Sequence, residues 1–268
     1  MLRNIHPHRQ MKLLLLFLVF CAYAASSQDL SMFERKEYTS PNGGTLLYRI
    51  LYPEHYDRGK KYPLVLFLHG AGERGSDNEK QLIHGSKQFV EPKVRKKYPA
   101  IVVFPQCPEE DFWASVKFDR NGSPFQFDFD YSRPLNASLV LAIDLVKTLV
   151  GNGSVDARRV YITGLSMGGM GTFEAVYHNP GLFAAAMPIC GGGDTLRYEK
   201  VKTPFWIFHG DADQVVDVKY SRAMVARLRQ LKVKVKYTEY PGVNHNSWDS
   251  AFAEPKFLRW MFRKRKGK

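Results

Sequence analysis

The sequence is poor in the features that would place it in a simple class. It holds three cysteines in 268 residues. That is too few for a disulfide-built scaffold, and none has the His or Cys spacing of a metal site. No internal repeat and no low-complexity linker interrupts the chain, which sets aside solenoids and fibrous proteins. Acidic residues are outnumbered, 26 Asp and Glu against 39 Lys and Arg, for a formal charge of +13. Such an excess invites nucleic acid, a membrane surface or an acidic polysaccharide as neighbour. Much of it, however, sits in the tail Arg263-Lys264-Arg265-Lys266-Gly267-Lys268 and in Lys93-Val94-Arg95-Lys96-Lys97. No aromatic-interleaved basic motif accompanies these runs, so they read as solvated surface and nucleic acid is not expected. What remains is an ordinary globular composition, 44% hydrophobic and 24% charged, at a length one core can fill.

Long apolar runs are also scarce. Leu13-Leu14-Leu15-Leu16-Phe17-Leu18-Val19-Phe20 follows Met11-Lys12 and precedes Ala22, Ala24, Ala25, Ser26 and Ser27. It falls short of the ~20 residues a spanning helix needs. A basic start, a short apolar stretch and small residues after it are the pattern of a secretory signal. Residues 1–27 are therefore expected to be a signal segment, with Met11 a better start than Met1, and the mature chain to be secreted or periplasmic without a stable membrane span. Cys21 offers a lipoprotein alternative, but Phe20 stands where a small residue is normally required. Removal of the segment takes Arg3, Arg9 and Lys12 and no acid, so the mature chain stays basic. Cys107 and Cys190 remain; both follow apolar runs, and the sequence leaves open a disulfide or two buried thiols.

Residues 64–68, 100–104, 159–163, 184–189 and 204–208 are apolar without alternation, as strands buried on both faces are. Residues 45–52 read as an N-terminal strand, and residues 233–240 alternate like a half-exposed edge strand. Helical patterns cover residues 135–150, 167–178, 218–231 and 247–261. Strands that alternate with helices predict an α/β fold, a mostly parallel twisted sheet with helices on both faces, in one domain over residues 28–268. Residues 117–134 resist assignment: Phe118, Phe125, Phe127, Phe129 and Tyr131 lie among Gly, Pro and Asp. A lid or substrate-binding loop and a loop folded back on its own aromatics both fit.

Gly164-Leu165-Ser166-Met167-Gly168-Gly169 comes directly after one strand and directly before a helix. A serine on so tight a turn needs glycine neighbours, and the turn lifts its hydroxyl to a helix N-terminus, where developing negative charge is favoured. A hydroxyl becomes a nucleophile only when a base takes its proton. His69 and His209 close strands, His178 lies within a helix, and His55 and His84 come too early in the chain. His245, in the loop between the last strand and the last helix, is the expected base. A carboxylate must hold that imidazole, and Asp211, Asp213 and Asp217 all follow the strand that ends at His209. Asp217 suits a helix cap and Asp211 a turn, which leaves Asp213. Two backbone N–H groups should face the oxyanion: Met167, after the nucleophile, and Ala71 in His69-Gly70-Ala71-Gly72, with Gly72 as its alternate. Trp113 and Trp248 are expected to contact substrate.

Leu68-His69-Gly70-Ala71-Gly72-Glu73-Arg74-Gly75, Pro105-Gln106-Cys107-Pro108 with Trp113, Val155-Asp156-Ala157-Arg158-Arg159-Val160-Tyr161, the Ser166 turn and His209-Gly210-Asp211-Ala212-Asp213 together resemble the bacterial "predicted peptidase" branch of α/β-hydrolases. That branch is related to carboxylesterases, phospholipases, dienelactone hydrolases and feruloyl esterases, and the similarity covers nearly the whole mature chain. It implies the α/β-hydrolase fold and supports Ser166, Asp213 and His245 position by position. Asp217 stands where many relatives carry proline, which leaves the acid in place. The activity implied is hydrolysis of carboxylic esters through an acyl-enzyme, without metal or organic cofactor. The substrate would be an ester, in exported members often one linked to plant cell-wall polysaccharide. A serine peptidase of the same fold and a catalytically silent glycan-binding protein are the competing readings.

Overall fold

The computed structural model describes residues 29–119 and 121–267, so the signal segment expected at residues 1–27 lies outside the described residues. Ten strands follow in chain order: β1 (Glu34–Thr39), β2 (Thr45–Leu51), β3 (Tyr62–Leu68), β4 (Ile101–Pro105), β5 (Val116–Asp119), β6 (Gln126–Phe129), β7 (Val155–Leu165), β8 (Ala185–Ile189), β9 (Phe205–Gly210) and β10 (Val235–Tyr240). The helices are α1 (Lys87–Val90), α2 (Pro92–Lys97), α3 (Ala137–Gly151), α4 (Met167–His178), α5 (Lys219–Gln230), α6 (Ser247–Ala253) and α7 (Phe257–Phe262). Eight strands form one sheet in the order β1-β2-β4-β3-β7-β8-β9-β10. β1 pairs antiparallel with β2, and β2 with β4, while every pairing from β4 to β10 is parallel. This is the α/β-hydrolase fold.

The runs without alternation become central strands because both faces of the sheet are covered. Leu64, Leu66 and Leu68 of β3 point into one apolar layer with Leu139, Ile143 and Val146 of α3, Phe173 and Val176 of α4 and Met224 and Leu228 of α5. Val65 and Phe67, one residue out of phase, enter the opposite layer with Phe89, Ala251, Phe257 and Met261 from α1, α6 and α7. Period-two alternation is thus still present, but both phases are apolar. Each large side chain so buried stabilises the fold by about 1.5–3 kcal/mol.

Two elements depart from the sequence pattern. The helix expected over residues 247–261 is two helices, α6 and α7, with Pro255 between them. Glu254, before the proline, is extended (φ −60°, ψ 117°), as the pyrrolidine ring requires of its predecessor. β1 was not marked by any apolar run: Glu34, Arg35, Lys36 and Glu37 are all exposed. It is an edge strand, where charge discourages pairing with other chains. β10 closes the opposite edge as expected. The aromatic segment folds as the β5–β6 hairpin. No helix among the described residues is long and apolar enough to cross a membrane.

Candidate active site

The candidate residues lie at the carboxyl ends of the parallel strands, where open α/β sheets characteristically bind their ligands. β7 ends at Leu165, and Ser166 makes the turn into α4 with φ 53° and ψ −117°. A positive φ at a non-glycine residue costs on the order of 1–3 kcal/mol and persists only where packing enforces it. The enforcement comes from glycines. A Cβ on Gly164 would sit 2.4 Å from Gly168 O, one on Gly168 2.0 Å from Leu68 O, and one on Gly169 2.4 Å from Ile189 O. The backbones of α4, β3 and β8 therefore touch around the serine, which presents Oγ outward.

The loop after β10 brings His245 to that hydroxyl. His245 Nε2 lies 2.9 Å from Ser166 Oγ, and His245 Nδ1 lies 2.8 Å from Asp213 Oδ2. The other oxygen of Asp213 accepts the N–H groups of Val215 and Val216, both at 2.9 Å. Burial alone would raise the Asp213 pKa. Hydrogen bonds from His209 and His245 outweigh it and hold the carboxyl well below the usual carboxylate range. The neighbouring acids are engaged elsewhere. Asp211 accepts Gly242 N–H at 2.6 Å and fastens the β10 loop, and Asp217 accepts Lys219 N–H at 2.8 Å at the start of α5.

Residues 56–259 match the phospholipase/carboxylesterase family model. The chain belongs to that family. Acyl-protein thioesterase 1 of Neurospora crassa is 27% identical over 207 residues, 68% of this chain and 80% of that protein. An uncharacterized secreted protein of Arthroderma benhamiae is 25% identical over 262 residues, 82% of this chain and 26% of its own. The crystal structure of a thermostable esterase is 37% identical with a TM-score of 0.79, over 88% of this chain and 64% of that one. This phospholipase/carboxylesterase chain thus spans just under two thirds of that solved structure.

A second histidine also touches the acid, which the sequence pattern did not reveal. His209 at the end of β9 is fully buried, with Nε2 2.8 Å from Val216 O and 3.2 Å from Asp213 Oδ2. Its Nδ1 lies 2.7 Å from Ser221 Oγ, and Ser221 donates to Gly191 O at 2.8 Å. Asp213 is therefore clasped between two imidazoles. The spacing His209 to Asp213 was the available sign, since a histidine ending a strand four residues before the acid lies beside the acid loop.

His69 orders the other side of the cleft. Its Nδ1 donates to Gly70 O at 2.6 Å and its Nε2 accepts Cys107 N–H at 2.9 Å, which fixes one neutral tautomer. Burial is the main cause that lowers its pKa to about 4. Ala71 begins the short 3-10 turn Ala71–Glu73 and Met167 is the first residue of α4, positions whose N–H groups have no acceptor within their own helix. Both line a cleft with Ser166. Because unfolded His69 titrates near 6.5 and the folded residue near 4, the unfolded chain holds the extra proton between those values. Its contribution to stability is full above pH 6.5 and is lost as pH falls toward 4, by about 3 kcal/mol. Urea unfolding of wild type and His69→Asn at pH 7 and pH 4.5 reads this directly. The stability gap between the two proteins should narrow at low pH; a gap that does not change with pH would rule the linkage out.

The cleft encloses about 60 Å³ among Ala71, Phe112, Phe118, Phe127, Met170 and Val216, with Phe125 and Val215 completing it. The β5–β6 hairpin supplies three of those rings. It is pinned to the acid loop by Phe125 N–H on Val215 O (3.0 Å) and Ser123 Oγ on Gln214 O (2.7 Å). Its other side packs on α5, where Phe127 and Phe129 meet Tyr220 edge-on. Trp113 is not in the cleft. It is fully buried, edge-on to His69 at 5.3 Å and pressed on the Cα of Gly171, so it has no surface to offer a substrate; its neighbour Phe112 faces the cleft instead. Trp248 stands edge-on to His245 at 5.4 Å and against His84 at 5.1 Å, flanking the base rather than the cleft.

Cys107 and Cys190 are free, buried thiols. Burial pushes Cys107 up to about 12 and raises Cys190, with the Asp213 charge adding to the effect. Cys190, Asp213 and His245 are the one grouping among the described residues with three ligand atoms within 4.8 Å. Both His245 nitrogens already hold hydrogen bonds and the thiol resists ionisation, so the donor set does not fit a metal.

Proposed function

We propose that the protein is an exported serine esterase that cleaves carboxylic esters of compact acids through a Ser166 acyl-enzyme. The observation that carries this reading is the unbroken chain Asp213–His245–Ser166 at 2.8 and 2.9 Å, ending on a serine held at φ 53°. In this reading neutral His245 takes the proton as Ser166 Oγ attacks the ester carbonyl. Asp213 stabilises the imidazolium that forms, and the N–H groups of Ala71 and Met167 receive the oxyanion. His245 then protonates the leaving alcohol, and water enters by the same route to release the acid.

The cleft volume favours a short acyl group such as acetyl, since a drug-sized ligand needs ~300 Å³ or more. Four phenylalanines around it favour a second reading, an aryl acid such as a hydroxycinnamate, admitted by movement of the β5–β6 hairpin. Export rests on the composition of residues 11–27, and the Arthroderma relative's description as secreted supports it. An ester borne on wall polysaccharide would suit an exported enzyme of basic charge.

Hydrolysis of p-nitrophenyl acetate, p-nitrophenyl butyrate and methyl ferulate, beside Ser166→Ala, tests both readings. The expected result is acetate ahead of butyrate by roughly 10-fold, a ratio worth about one or two methylenes of exclusion, with the mutant inactive. Ferulate ahead of both would select the aryl reading. A folded wild type inert on all three would sink the esterase assignment.

A further inference from the structure

A second site lies on the β1–β2 side of the molecule and shares no lining residue with the Ser166 cleft. Its centre is Arg49 on β2, which is only 7% exposed. Among the described residues the Arg49 Nε has no hydrogen-bond partner, and Nη1 reaches only Asn78 O at a long 3.4 Å. Among the described residues no carboxylate pairs with it. The nearby acids are committed, Glu34 to Lys36 at 2.9 Å and Glu79 to Arg35. Strand register makes the position worse, because Arg49 stands directly opposite Arg35 in the antiparallel pair, where like charges repel. Burial, and then the Arg35 charge, lower the Arg49 pKa. A buried, uncompensated guanidinium is among the costliest placements a side chain can have.

Arg49 lines a groove of about 790 Å³, the size of a small-molecule site. The groove is amphipathic. Leu30, Leu82 and Ile83 form an apolar wall, and Ile83 leaves 55% of its surface exposed. Once the two ion pairs at the rim are set against each other, Arg49 is the remaining charge.

We propose that this groove binds a small organic anion, with its carboxylate or phosphate on the Arg49 guanidinium and its apolar body over Leu30 and Ile83. The planar fork of N–H donors matches either oxyanion, and occupancy would relieve the Arg35–Arg49 repulsion. The acid released by an ester hydrolase is one source of such an anion and an organic phosphate another.

Calorimetric titration of wild type and Arg49→Met with cinnamate, phenyl phosphate and neutral cinnamyl alcohol, at constant ionic strength, decides the matter. The Ser166 cleft is the same in both proteins, so the difference between their titrations reads the groove alone. The expected result is saturable binding of at least one anion to wild type, weakened at least ~10-fold in Arg49→Met, and no such difference for the alcohol. Cinnamate alone would assign a carboxylate ligand, phenyl phosphate alone a phosphate, and both together recognition by charge. Without anion, the melting temperature of Arg49→Met should equal or exceed that of wild type. Identical titrations for the two proteins, or no binding of either anion to wild type, would overturn the proposal. Should Arg49→Met not fold, Arg49→Gln removes the charge and keeps a polar stem of similar length; undiminished anion binding by that variant would overturn the proposal equally.

Discussion

Asp213→Asn is expected to fold and to lose roughly 10⁴-fold in kcat on an activated ester. The direction of the asparagine amide decides this. One oxygen of Asp213 accepts two backbone N–H groups, from Val215 and Val216, and the other faces His245 Nδ1 and His209 Nε2. An amide has one acceptor and one donor end. Its oxygen must stay with the two backbone donors, so its NH₂ turns toward the imidazoles. His245 can then meet it only through an unprotonated Nδ1, which moves the ring proton to Nε2 and aims it at Ser166 Oγ. A base that already carries a proton on the nucleophile's side cannot take another, so the loss falls on kcat. His209 keeps its Nε2–H on Val216 O and loses only its longer contact to the acid. Steady-state kinetics with p-nitrophenyl acetate, together with a melting curve to establish folding, measures the effect. A folded variant that retains more than about a tenth of wild-type kcat would show that Asp213 does not set the His245 tautomer.

How much of this was legible in the chain depended on how strongly each element is constrained from both sides. β3, β4, β8, β9 and the Val160–Leu165 half of β7 stood out because both of their faces are buried and the runs are mainly apolar. β1 carries no such mark, since five of its six residues are exposed, Tyr38 alone packs on the core, and the strand is held by backbone pairing to β2. Ser166, His245 and Asp213 could be chosen as candidates because a nucleophile turn demands glycines and the chain order then confines the partners, and the structure brings the three into one hydrogen-bonded chain. Phe112 and Trp113 show the limit. They are adjacent in an irregular loop, where no period tells which side chain faces the cleft, and the larger ring went to the core. The alternation of Phe125, Phe127 and Phe129 did carry a strand signal, obscured by the Gly and Pro before it. Arg49 carried no mark of its own within the expected strand 45–52; only its burial and its register with Arg35 make it a candidate anion-binding residue.

Gly168→Ala should be among the most destabilising single changes available. The added Cβ would lie 2.0 Å from Leu68 O, 2.5 Å from Leu68 C and 2.7 Å from His69 O. All three are backbone atoms of the β3 end, so no side-chain rotamer can give way. The first turn of α4 must instead separate from β3, which opens the core on both sides of the contact. Overpacking with side-chain relief costs about 1–3 kcal/mol; without that relief a loss of roughly 4 kcal/mol or failure to fold is expected. Gly151→Ala, at the end of α3 with nothing within 4 Å of the added carbon, should stay within about 1 kcal/mol of wild type, on the stabilising side. Urea unfolding of the two variants makes the comparison, and equal midpoints for Gly168→Ala and wild type would refute the close-approach account. The same contact bears on catalysis. Met167 rides on α4 and Ala71 on the loop after β3, so the distance between their N–H groups, the oxyanion donors of the proposed mechanism, is set where Gly168 meets Leu68 and His69. Any Gly168→Ala protein that does fold should therefore lose kcat more than it raises KM, because a widened gap weakens a contact that matters only once the oxyanion has formed.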